Sequence, residues 1–210
     1  SRRNLAPVHC RSMVWATMLL AAALAPMMTA PALAQDFDKH TAGSTKTVDH
    51  AIWDKLLKTY VKPAADGINR VDYARFKKDG HAELKTYVAA LEAVDFTSLD
   101  RPEQLAFWAN LYNAKTTDIV LDKHPVKSIK DISLGGGLKS LLTGGPWQAK
   151  VVKVNGIPMS LDDIENTAMR PVFKDPRVHY SVNCASVGCP NLLAEAFSGN
   201  REPAEAIAVL

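Results

Sequence analysis

Apolar residues recur at helical spacing in three stretches of the chain. Ile52, Trp53, Leu56, Leu57 and Tyr60 predict a helix over residues 48–61, with Asp49 as its cap. Leu84, Tyr87, Val88 and Leu91 line one face of a second helix over 81–94. The third is the strongest. Asp100-Arg101-Pro102-Glu103 is a helix start with proline in the first turn, and Leu105, Phe107, Trp108, Leu111, Tyr112, Ile119 and Val120 follow. Its apolar girth is wide, which predicts a central, mostly buried helix over 102–123, ended by His124-Pro125.

The remaining pattern is shorter-ranged. Residues 35–47 are polar and read as a mobile N-terminal arm. Residues 63–69 read as a loop, and Val71 and Tyr73 as a short extended piece before Phe76. Gly135-Gly136-Gly137 and Gly144-Gly145-Pro146 flank Leu138–Leu142, a loop region with room for one helical turn. Residues 149–154 are strand-like, Asn155-Gly156 is a hairpin turn signal, and 157–160 return. Ser160-Leu161-Asp162-Asp163 is an N-cap with acids in the first turn of a helix running to about Met169. The β-branched and aromatic run 178–182 predicts a strand. The class is therefore α+β: a helical N-terminal half around a central buried helix, then a small β-sheet or hairpin carrying a His/Cys segment. One globular domain over 48–210 is expected, with the ends of the chain reading as cut or processed.

Charge and composition sharpen this. Arg2, Arg3 and Arg11 precede an apolar run over 13–28, and Ala32-Leu33-Ala34 is a small-x-small cleavage pattern. The run is shorter than the roughly 20 residues of a spanning helix and is broken by Pro26. Residues 1–34 therefore read as a signal peptide. The mature chain would begin at Gln35 and work in the periplasm or as a secreted protein, with no stable membrane anchor after signal removal. The whole chain carries +3 and the segment contributes three arginines and no acid, so the mature part is +3 − 3 = 0. A neutral chain makes no electrostatic case for nucleic acid. The glycine stretches lack the Lys-Ser/Thr ending of a P-loop and the dinucleotide fingerprint, so no cofactor is expected.

Chemistry concentrates in residues 175–190. Cys184 and Cys189 are the two cysteines left after signal removal, an even number in an oxidising compartment. One reading is a disulfide closing a short loop, with Gly188 and Pro190 helping the turn. Another makes Cys184 or Cys189 a nucleophile with His179 as base. On a regular strand, however, the five-residue offset of His179 from Cys184 points the two to opposite faces. A zinc site from His179, Cys184 and Cys189 lacks an evident fourth ligand.

Asn110 and Asn113 share a face of the central helix, beside Tyr112. They read either as amides that satisfy buried backbone or as the floor of a polar binding pocket. Asp162, Asp163 and Glu165 read as helix-start acids, with Glu165 and Arg177 also candidate binding residues. Two functions stand open: a binding or interaction module with a structural disulfide, and a Cys/His-dependent hydrolase or acyl-transfer enzyme of papain- or transglutaminase-like type.

Phe107-Trp108-Ala109-Asn110-Leu111-Tyr112-Asn113-Ala114, then Ser160-Leu161-Asp162-Asp163-Ile164-Glu165, then Arg177 to Pro190 occur in one order. Together they resemble the domain of unknown function 547 family over about residues 50–197. The family pattern has histidine after the Ile-Glu pair and leucine before the arginine, where this chain has Asn166 and Met169. The resemblance implies a domain and does not imply a reaction.

Overall fold

The computed structural model describes residues 37–135, 145–186 and 188–200. The expected signal segment, the turn over Leu138–Leu142 and the tail from 201 lie outside the described residues.

Helix α1 (Ala51–Tyr60) buries Trp53, Leu56, Leu57 and Tyr60 on one side. The N-cap position is His50, not Asp49, and carries no side-chain cap bond; Asp49, one residue earlier, accepts the Ala51 N–H at 2.9 Å. Strand β1 (Val61–Lys62) pairs antiparallel with β2 (Arg70–Val71). The expected extended piece is therefore present at Val71, while Tyr73 opens helix α2 (Tyr73–Asp79), which the pattern did not suggest. Asp72 caps it by accepting the Arg75 N–H, and its one fully buried side chain, Phe76, stacks on Tyr60 with centroids 4.3 Å apart. Helix α3 (His81–Glu92) lays Leu84, Tyr87, Val88 and Leu91 against the core.

Helix α4 (Arg101–Lys123) is the axis of the fold. Asp100 caps it at Glu103 N–H, and seventeen of its residues are buried, among them Phe107, Trp108 and Leu111 at 0% exposure. After it comes a single 3₁₀ turn, Ile129–Asp131.

The predicted hairpin forms as β3 (Val152–Val154) and β4 (Ile157–Met159), with Asn155 and Gly156 both at positive φ. Helix α5 (Leu161–Asp163) begins with a capping box in which Ser160 and Asp163 hold each other's backbone N–H. The chain then widens into a π-turn, Ile164–Met169, before a last turn α6 (Arg170–Phe173). Pro171 supplies the reason. It cannot donate to the carbonyl four residues back and its ring crowds that carbonyl, so the turn opens by one residue.

Two expectations are corrected. Residues 178–182 form no strand. Pro176–Ser181 is a 3₁₀ turn, so the small hairpin does not itself carry the His/Cys segment. Asp175 accepts the Arg177 N–H and the Ser181 hydroxyl donates to Val178 C=O, and these local bonds outweigh the β preference of the side chains. From Phe37 on, the N-terminal arm is docked. The Phe37 ring is 2% exposed between Phe96 and Trp108, and Thr41 N–H donates to Leu99 C=O at 2.9 Å.

Two measurements test this core. Leu111→Ala should lower stability by about 2–5 kcal/mol, since a fully buried leucine loses its contacts and leaves a cavity. Chemical denaturation reads the loss, and a value below about 0.5 kcal/mol would place that face in solvent. His50 is the second test. Burial pushes its pKa down from 6.5 to about 4, only partly opposed by the Asp49 charge. As pH falls below 6.5 the unfolded chain takes up this proton before the folded one does. Stability should therefore fall with pH from 6.5 to about 4, by up to about 1.4 kcal/mol per pH unit. His50→Gln should flatten the stability profile in that window.

Candidate functional site

The polar residues of α4 face a C-terminal segment that has no helix or strand among its described residues 182–200. Asn110 donates to Phe197 C=O at 2.9 Å and accepts from Phe197 N–H at 3.1 Å. Asn113 donates to Ser181 C=O at 2.9 Å and accepts from Asn183 N–H at 2.8 Å. Glu103 accepts from Gly199 N–H with one oxygen and from Val48 N–H with the other. Gly199 must be glycine here, because a Cβ would stand 2.8 Å from the Glu103 backbone. Both asparagines thus satisfy crossing backbone, the first of the two readings given for them.

The pinned segment carries the cysteines. Cys184 and Cys189 are joined by a disulfide with Cα atoms 5.9 Å apart. Asn183 braces the loop from within: it accepts from Ala185 N–H at 2.9 Å and donates to Pro190 C=O at 2.5 Å. The bridged sulfurs are neither resting nucleophiles nor thiolate ligands. The strand-based placement of His179 and Cys184 on opposite faces no longer applies, because the segment is not a strand.

His179 is drawn into a different cluster. Its Nδ1 lies 3.0 Å from Glu165 Oε1 and 2.9 Å from Arg170 Nη2, while Arg170 also donates to Glu165 Oε1 at 2.6 Å. Glu165 is mostly buried, whereas Arg170 and His179 are exposed. The π-turn makes this pairing. The Arg170 N–H reaches back five residues to Glu165 C=O, which brings two side chains that an α-helix would splay apart onto one side.

A guanidinium only donates. With the proton on Nδ1, His179 donates to Glu165 and its Nε2 accepts. With the proton on Nε2, Nδ1 accepts from Arg170 and Nε2 donates. Beneath the cluster, Tyr112 is 2% exposed. Burial first, then the Glu165 and Asp162 charges, raise its pKa, against a hydrogen bond from Trp147. Trp147 in turn lies over Gly145, where a Cβ would stand 1.9 Å from the indole.

The other predicted residues are spread out. Asp163 closes its capping box and pairs with Lys150. Arg177 forks onto Asp175 at 2.6–3.0 Å and borders a narrow slot floored by Leu105, Ala106, Ala109 and Val178. Asn166, which stands where the family pattern has histidine, donates to Asp162 at 2.9 Å.

One cluster had no signal in the sequence. His81, Asp118 and Asp122 bring three possible ligand atoms within 4.8 Å of one another. Lys85 and Lys115 occupy those carboxylates at 2.7–3.0 Å. Burial opposes the Asp118 charge, but the bonds from Lys115, Lys85 and His81 prevail and hold its pKa below the ordinary value. The arrangement is that of an ion-pair network.

A family model described as "Protein of unknown function, DUF547" matches residues 96–204. The match spans α4, the Ser160 cap, the π-turn and the disulfide, and the chain belongs to this family. No curated protein and no solved structure matches the chain. Among the described residues, no helix is long and apolar enough to cross a membrane.

The clamps can be weighed by mutation. Asn113→Ala strands the Asn183 N–H and should lower stability by about 1–3 kcal/mol, the cost of an unsatisfied buried group. Asn166→Ala, on the exposed side of the π-turn, should stay within about 0.5 kcal/mol. Equal losses in denaturant titrations would show that Asn113 does not hold the segment.

Proposed function

We propose that the chain is an exported binding module of the periplasm or extracellular space. Its recognition surface is the Glu165–Arg170–His179 cluster, and its C-terminal segment is closed by the disulfide. The observation that carries the reading is the Cys184–Cys189 bridge. Disulfides persist in oxidising compartments, and the 1–34 pattern of basic residues, apolar run and Ala-Leu-Ala supports export. A bridged pair leaves no resting thiolate for acyl transfer. Glu165 and Arg170 hold the His179 ring from its Nδ1 side, so His179 Nε2 is the atom that meets a ligand.

A second reading, acyl transfer of the papain or transglutaminase kind, has one observation in its favour. His179 is oriented by a carboxylate through Nδ1, as a catalytic base is. It requires one cysteine to be free.

Thiol titration of denatured, unreduced mature protein separates the two readings. No free thiol is expected. Cys184→Ser and Cys189→Ser should destabilise by similar amounts, about 2–3 kcal/mol or less for so short a loop. A freely titrating thiol with a pKa well below about 8.5 would favour the enzyme. Export is checked by N-terminal sequencing of protein from the periplasm or medium, with Gln35 expected as the first residue. A retained 13–28 segment in the membrane fraction would refute it.

A further inference from the structure

Cys184 and Cys189 are half-buried and not sealed in the core. Cys189 lines a cleft of about 340 Å³ bordered on one side by Ile68 and Asn69 of the β1–β2 connection and Arg70 of β2, and on the other by Asn183, Ser186 and Leu192 of the C-terminal segment.

Both walls are held by hydrogen bonds that do not pass through the sulfurs. On one side Asn69 N–H donates to Asn191 at 3.0 Å, Asn69 donates to Leu192 C=O at 2.8 Å, and Asn191 donates to Gly67 C=O at 2.8 Å. On the other, Asn183 spans the loop from Ala185 to Pro190, and Cys189 N–H donates to Ser186 C=O at 2.9 Å. Asn113 anchors that loop to α4. These bonds tie the loop's ends together and to α4 independently of the sulfurs. Thiol–disulfide exchange needs access to one sulfur, and the cleft gives that access at Cys189.

We propose that the Cys184–Cys189 bridge is a reactive disulfide, opened from this cleft by a paired thiol of an exported exchange partner. The proposal rests on the reading that the bridge is formed in the exported chain. A partner thiolate attacks Cys189 Sγ, the sulfur that lines the cleft. The Cys184–Cys189 bond breaks, and Cys184 leaves as a thiolate and takes up a proton. The partner's second thiol, once deprotonated, attacks the mixed disulfide and expels the Cys189 thiolate. This chain gains two thiols and the partner becomes a disulfide, so electrons and protons balance.

The test uses the native mature protein. Its unreduced thiol count comes first, and free thiols at that stage would overturn the underlying reading itself. With the bridge established, millimolar reduced glutathione and dithiothreitol should open it without denaturant, and circular dichroism should show the fold retained. Cys184→Ser should form a mixed disulfide between Cys189 and oxidised glutathione. Ser186→Trp, an exposed change that fills the cleft, should slow opening about tenfold or more while the unreduced thiol count stays at zero. A bridge that resists both reductants until the protein is unfolded would overturn the proposal. So would a fold lost on reduction, or a Ser186→Trp rate equal to that of the parent.

Discussion

The fold turns on where the backbone of residues 182–200 finds its hydrogen bonds. That stretch has no helix or strand among its described residues, yet parts of it lie against the core: Val182 is 4% exposed and Leu192 6%. Backbone groups taken from water without a partner are strongly unfavourable. Here side chains provide what a strand would otherwise provide. Asn110 and Asn113 each offer one donor and one acceptor to a crossing chain, as a neighbouring strand does. Glu103, Asp54 and Asn69 extend the same service to Gly199, Ala196 and Leu192. Helix α4 is therefore apolar enough to be the core and polar along one stripe, because it stands in for a missing sheet.

This division explains what could be read from the sequence. Long periodic stretches declare themselves, and α1, α3 and α4 begin and end within three residues of their predicted bounds. Helix α2 does not declare itself, because a seven-residue helix with one fully buried side chain, Phe76, has no period to detect. The strand expected at 178–182 was a propensity reading, and Asp175, Pro176 and Ser181 override it with bonds inside the turn. The arm before α1 looks polar because a single aromatic, Phe37, does the anchoring.

The site was legible to a smaller degree. Asn110 and Asn113 could be placed on one face, but a partner 87 residues away in the chain leaves no local trace. Cysteine parity and the expected compartment left the disulfide as one of two readings, and without geometry they could not choose between them. The pairing of Glu165 with Arg170 was invisible because residues five apart diverge on an α-helix. The one hint was Pro171, which removes an N–H inside a predicted helical run and so forces a break or a widened turn. A widened turn, rather than a break, is what aligns these two side chains.

That alignment has a consequence for His179. Three side chains share one small volume, and one nitrogen cannot both donate to Glu165 and accept from Arg170. Whichever contact His179 makes at Nδ1 fixes the opposite role at Nε2, the ring nitrogen that neither residue holds. A ligand presenting a hydrogen-bond donor favours the Glu165-bound form, and one presenting an acceptor favours the Arg170-bound form. The cluster can exchange its donor and acceptor roles by moving a proton rather than a backbone. The buried clamps below it make that workable, because Asn113 fixes Ser181 and Asn183 and so limits where the His179 turn can go. The backbone is held rigid from beneath, and the adaptable chemistry is confined to the exposed edge of one imidazole.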